Sequence, residues 1–162
     1  MVRRPPALWV SHAVMKQIVA EADDKFPRET GGVLIGYQAD NGEYVVRACT
    51  GPGKGASHKR FWFKPDHEWQ CEQLDRIYAE SCGELVYLGD WHTHPRGVPA
   101  MSYLDMRTLS RIARHDEVRL KCPLMMIGGG RPGKWKWAAH EFTSRGLCGL
   151  LSNTKLRSIS FF

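Results

Sequence analysis

"ELVYLGDWHTHPRGVPAMSYLD" (84–105) is the stretch on which the reading of this chain turns. Its first half, 84–94, has the aromatic and aliphatic content of a strand, and Pro95 closes it. A loop rich in Pro and Gly follows as far as Ser102. "YLDMRTLSRIARH" (103–115) then carries a helical pattern. Residues two apart on a strand point to one face, so His92 and His94 project together. Asp105 falls in the first turn of the helix beyond them.

Two readings of these residues stand side by side. Ser102 followed three places on by Asp105 is a capping-box pattern, a serine at the cap and an acid at the third helical position. The same Asp105, set beside two imidazoles, completes an N₂O donor set with one coordination position left open, as a catalytic zinc requires. The readings are compatible, because a capping serine fixes the helix that presents the acid.

Outward from this unit, strands and helices alternate. "SHAVMKQIVAEADDKF" (11–26) predicts an amphipathic helix with Ser11 as cap and Val14, Ile18, Ala22 and Phe26 on one stripe, ended by Pro27. "GGVLIGY" (31–37) reads as a buried strand, Asp40-Asn41-Gly42 as a turn, and "EYVVRAC" (43–49) as the returning strand. The glycine-rich basic segment 51–60 lacks a phosphate-loop pattern and reads as a connection or a loop over a substrate groove. "RFWF" (60–63) reads as a short strand. A helix from Pro65 to Ser81 would turn Cys71, Leu74, Ile77 and Tyr78 inward, with Trp69 off the stripe. "PLMMIGGG" (123–130) and "KWKWAAHEF" (134–142) predict a final hairpin, and residues 143–162 remain an unplaced tail, with a short helix as one option. The expectation is one α/β domain over 1–162, with a mixed sheet flanked by helices and a core of roughly 10–142.

Bulk properties limit the function classes. A chain of 162 residues, 43% hydrophobic and 25% charged, is an ordinary globular composition. No apolar run approaches the roughly 20 residues that span a bilayer. Arg3 and Arg4 precede too short an apolar segment for an export signal. Five cysteines (Cys49, Cys71, Cys82, Cys122, Cys148) without a C-x-x-C pair suit free thiols in a reducing cytosol. The net charge of +6 permits an acidic partner, but no zinc-finger spacing or basic helix marks a nucleic-acid code. His12, His58, His67, His115 and His140 are scattered and read as surface or core residues.

The stretch H92-T-H94-P-R-G-V-P-A-M-S102-Y-L-D105 resembles the JAMM motif of the MPN/JAB-domain metalloproteases, including the proline after the second histidine. Met101 departs from the Phe or Pro that usually precedes the serine. Family members also carry a glutamate before an apolar, glycine-containing strand, and Glu29 in "PRETGGVLIGY" stands at that place. The resemblance spans about residues 10–140 and implies a curved mixed sheet similar to that of cytidine deaminases. It implies one Zn2+ per chain on His92, His94 and Asp105, Glu29 as general acid–base, and Ser102 as donor to the oxyanion. The implied reaction is hydrolysis after the C-terminal glycine of a ubiquitin-like protein, or of a protein joined by a ubiquitin-like system. The compact form is similar to bacterial standalone JAB peptidases of CBASS-type antiphage operons, whose neighbours are E1- and E2-like enzymes. Three rivals are weighed. A zinc deaminase needs H-x-E with P-C-x-x-C, and neither occurs. A non-catalytic MPN scaffold usually lacks the ligands. A basic nucleic-acid-binding module needs no metal at all.

Overall fold

Ser11 caps the first helix as its position predicts: its hydroxyl accepts from the Val14 amide at 3.2 Å, and Val14, Ile18 and Ala22 are buried. The computed structural model describes residues 7–115, 120–144 and 152–162. In chain order it contains β1 (Leu8–Val10), α1 (His12–Lys25), β2 (Gly31–Gln38), β3 (Tyr44–Cys49), β4 (Ser57–His58) and β5 (Phe63–Lys64). α2 (His67–Glu80), β6 (Val86–Pro95), α3 (Tyr103–Ala113), β7 (Leu124–Gly130), β8 (Lys136–Ser144), β9 (Ser152–Arg157) and β10 (Ile159–Phe161) follow. No described helix is long and apolar enough to cross a membrane.

Eight strands form one mixed sheet in the order β10-β1-β3-β2-β6-β7-β8-β9. β6 and β7 are parallel; β2 is antiparallel to both β3 and β6, and β8 to both β7 and β9. α1 packs Val14 and Ile18 onto a core to which β1, β3, β2, β6, β7 and β8 all contribute, so the sheet curves around this helix. The opposite face carries a second core of Leu109, Met125, Ile127 and Phe142 beneath α3. β7 therefore buries alternate residues on two faces, which is why "LMMI" is a continuous apolar run. His67 of α2 lies within electrostatic reach of Asp90, on the α3 face.

Three expectations are corrected. Arg60, Phe61 and Trp62 form the exposed turn between β4 and β5 rather than a strand, because the strand pairing there is only two residues long. On α2, Cys71 and Tyr78 face solvent. The buried residue is Gln70, whose side-chain amide donates to the Gly51 carbonyl at 3.0 Å and so turns the helix away from its apolar stripe. The tail is not helical where it is described. It makes β9, paired with β8, and β10, paired with β1.

A bulge in β6 positions the site. β2 pairs Leu34 with Gly89 and Ile35 with Tyr87, leaving Leu88 as an extra residue. Leu88 and Trp91 consequently both enter the α1-side core although they are three positions apart. Asp90, His92 and His94 are thereby set on the opposite face, the one that carries α3. Gly89 makes this possible: its φ is +150°, and a Cβ there would collide with the Leu124 carbonyl of β7.

Candidate metal centre

His92 sits opposite Ile127 and His94 opposite Gly129 on the parallel neighbour β7. Their Nε2 atoms lie 3.1 Å apart. α3 brings Asp105 onto both: Oδ1 is 3.1 Å from His92 Nε2, and Oδ2 is 3.3 Å from His94 Nε2. One donor atom from each residue fits within a span of 4.8 Å, a convergence of two imidazole nitrogens and one carboxylate oxygen. That donor set and its tight spacing fit a divalent transition metal, with a fourth position free for water or substrate.

Ser102 has the local role its spacing predicts. Its hydroxyl accepts from the Asp105 amide at 3.2 Å, while the Ser102 amide donates to Asp105 Oδ2 at 2.7 Å. The box fixes the Asp105 carboxylate in place. As an acceptor, the hydroxyl keeps its own proton available for donation. Ser102 is exposed beside the cluster.

Glu29 stands two residues before β2, and its backbone is held on both sides. Its amide donates to the Lys59 carbonyl at 2.8 Å, and its carbonyl accepts from His58 Nδ1 at 2.9 Å. Next to it, the Thr30 amide donates to Thr93 Oγ1 at 3.1 Å, and the Thr93 amide to the Thr30 carbonyl at 2.9 Å. The segment carrying Glu29 is thus tied to β6 between its two histidines. Burial raises the Glu29 carboxyl above its ordinary range; nearby His94 and His92 oppose that shift and Asp105 adds to it.

Electrostatics elsewhere in the cluster follow from the same contacts. Burial disfavours ionised Asp105, yet its hydrogen bonds with His92 and His94 prevail and hold it well below the carboxylate range. The hydrogen bond to Asp105 raises His94. Two groups escaped the sequence reading. Asp90, on the histidine face, accepts from the Tyr87 hydroxyl at 3.0 Å, and burial pushes its carboxyl up to about 6. His140, read as one scattered histidine among several, lies under the loop between the histidines and Ser102. The D-W-H alternation on β6 is the signal for Asp90, but no pattern marks His140.

Comparison with known proteins agrees with this geometry. Residues 11–140 match the family of prokaryotic homologs of the JAB domain. A probable metalloprotease, y4qB, of Sinorhizobium fredii is 35% identical over 134 residues, covering 81% of this chain and 80% of that protein. A CD-NTase/cGAS isopeptidase of Enterobacter hormaechei is 30% identical over 125 residues, covering 76% of this chain and 67% of the relative. The solution structure of DSY2949 from Desulfitobacterium hafniense superposes with a TM-score of 0.66 over 96% of this chain and 92% of its own; at 18% identity it speaks to the fold alone. This chain belongs to the prokaryotic JAB-domain family, as a metalloprotease.

Proposed function

We propose that the chain is a zinc isopeptidase that cleaves after the C-terminal glycine of a ubiquitin-like protein, or of a protein conjugated by a ubiquitin-like system. The observation that carries this reading is the convergence of His92, His94 and Asp105 beside the half-buried Glu29. His92, His94 and Asp105 would hold the ion. Zinc bound there supplies Lewis-acid chemistry, acidifying water toward neutrality and polarising a carbonyl. Glu29, its carboxyl raised by burial, takes the proton of the attacking water and delivers it to the leaving amine. Ser102 Oγ, anchored at the helix cap, donates to the oxygen on which negative charge develops.

The substrate class is supported by the relatives named isopeptidases and by the rim of the site. Phe61 and Trp62 at the tip of the β4–β5 turn, Val98 in the loop before α3, and Tyr103 and Leu104 in the first turn of α3 are large and exposed. They offer apolar contacts to an extended chain entering from a partner protein. The same reading places E1- and E2-like enzymes as partners and antiphage defence as the setting.

The test uses zinc-loaded protein with fusions whose junctions follow different ubiquitin-like C-terminal tails. Cleavage after the terminal glycine, abolished by chelator, is the expected result. Glu29→Gln should keep its zinc and lose at least about 10²-fold in turnover. No cleavage of any glycine-terminated tail, or near-normal turnover of Glu29→Gln, would overturn the proposed reaction or the assigned base respectively.

A further inference from the structure

The metal ligands come from two elements, β6 and α3, and residues 96–101 carry the chain from one to the other. α3 fully buries only Leu109, and the capping box fixes Asp105 relative to the helix start, so the loop that leads into the helix helps to set where Asp105 meets β6. The loop is held from below. The Arg96 amide donates to the Gly130 carbonyl, and the Gly97 amide to the His94 carbonyl at 2.9 Å. His94 Nδ1 faces the Val98 carbonyl at 3.4 Å, which orients that ring with Nε2 toward Asp105. One residue on, the Pro99 carbonyl faces His140 Nε2 at 3.3 Å.

The floor is shaped for this contact. His140 of β8 pairs with Met125 of β7, placing its ring on the face that carries Asp90, His92 and His94. It is 8% exposed. Gly129, opposite His94, leaves a notch into which the loop backbone drops. A Cβ on Gly129 would lie 2.5 Å from Pro99 N and 2.7 Å from Val98 Cα. Two adjacent peptides are thus fixed together, Val98–Pro99 by His94 and the close approach of Gly129, and Pro99–Ala100 by His140.

We propose that His140 and Gly129 clamp the Val98–Pro99 segment and are positioning residues of the metal centre, setting how closely Asp105 meets the two histidines. The proposal rests on His92, His94 and Asp105 being the ligands. Partners that orient ligands from beyond the coordination sphere commonly change metal affinity or activity by about 10–100-fold when removed. A buried imidazole is a costly way to fill a core position unless its nitrogens are used. Burial holds the His140 imidazole below its ordinary range, and because a carbonyl can only accept, Nε2–H is the donor to Pro99.

The test measures zinc affinity by competition with a chromophoric chelator, alongside melting of the metal-free protein. His140→Phe keeps an aromatic ring and removes the donor; His140→Gln restores an amide donor near the place of Nε2; Gly129→Ala fills the notch. His140→Phe and Gly129→Ala are expected to bind zinc about 10-fold or more weakly, with His140→Gln within about 3-fold of the parent. Wild-type zinc affinity in His140→Phe, or failure of His140→Gln to recover it at an unchanged melting temperature, would overturn the clamp. If His140→Phe does not fold, Gly129→Ala and His140→Gln decide by the same criteria. Asp105→Ala separates the two levels of the argument. Loss of its zinc upholds the ligand set, whereas a full equivalent of tightly bound zinc overturns the ligand set and the clamp with it.

Discussion

Ser102 is both a cap and a neighbour of the proposed metal ligands, and the cap can be separated from the proposed catalytic role at that one side chain. As a cap, its hydroxyl accepts from the Asp105 amide. As a catalytic donor it would use the proton that this bond leaves free. Glycine caps helices within a few tenths of a kcal/mol of serine but donates nothing to an oxyanion. Ser102→Gly should therefore keep its melting temperature and its zinc while kcat falls by about 10²–10³ at nearly constant KM. An active Ser102→Gly enzyme would leave the serine as a cap alone. These residues were legible in the sequence because His92, His94, Ser102 and Asp105 lie within fourteen consecutive residues (92–105) of one strand, loop and helix. Their local periodicities alone put them near each other. Glu29 was not legible in that way: it comes from a segment 63 residues before His92, joined to it by the Thr30–Thr93 hydrogen bonds and the β2–β6 pairing that sets Gly31 opposite His92, and a resemblance was needed to single it out.

At the scale of the element, the strand that bears the histidines shows what period-two reasoning misses. Simple alternation from the buried Leu88 would send Asp90, His92 and His94 into the α1-side core. The bulge reverses that, and Gly89 makes the bulge possible. Gly89→Ala would place a Cβ against the Leu124 carbonyl at a positive φ, so it should destabilise the fold by more than about 1 kcal/mol. Because the bulge also decides which face the histidines take, zinc affinity should fall in step. Urea titration with parallel metal analysis checks both; an unchanged midpoint would mean that β6 relaxes elsewhere. α2 forms where its pattern predicts, but its buried face differs, for another reason. Its apolar pattern was sound as a period, but a polar residue, Gln70, found a backbone carbonyl to satisfy and took the buried position. The β4–β5 turn failed because aromatic content reads as strand even where too few partners exist to pair with it.

The whole molecule depends on contacts that no window of sequence reveals. β9 and β10 lie at opposite ends of the sheet order yet are separated by Ser158 alone. The sheet must therefore curl until its ends approach, and Arg157 stands at the closure. Its guanidinium donates to both Glu141 oxygens of β8, at 2.7 and 2.6 Å. It also donates to the Gly42 carbonyl at 3.0 Å and lies 5.0 Å from the centroid of the Tyr44 ring in β3. Tyr44 completes the set by donating its hydroxyl to Glu141 at 3.3 Å. The parallel pairing of Leu8 with Ile159 spans almost the full chain, which is why the tail had no visible place in the sequence. Both charged side chains are almost fully buried, at 6% and 9% exposure. Breaking such a pair from one side leaves the other charge without compensation, whereas removing both leaves none. Arg157→Met should thus lower stability by about 3–5 kcal/mol, with Glu141→Leu in the same chain recovering most of it. Urea unfolding of the two proteins provides the comparison. If Arg157→Met alone is near neutral, the ion pair does not hold the ends of the sheet together and the apolar contacts of β10 must do so. If the double variant is no better than the single, the guanidinium acts mainly through the Gly42 carbonyl and the face of the Tyr44 ring, contacts that removing Glu141 does not replace.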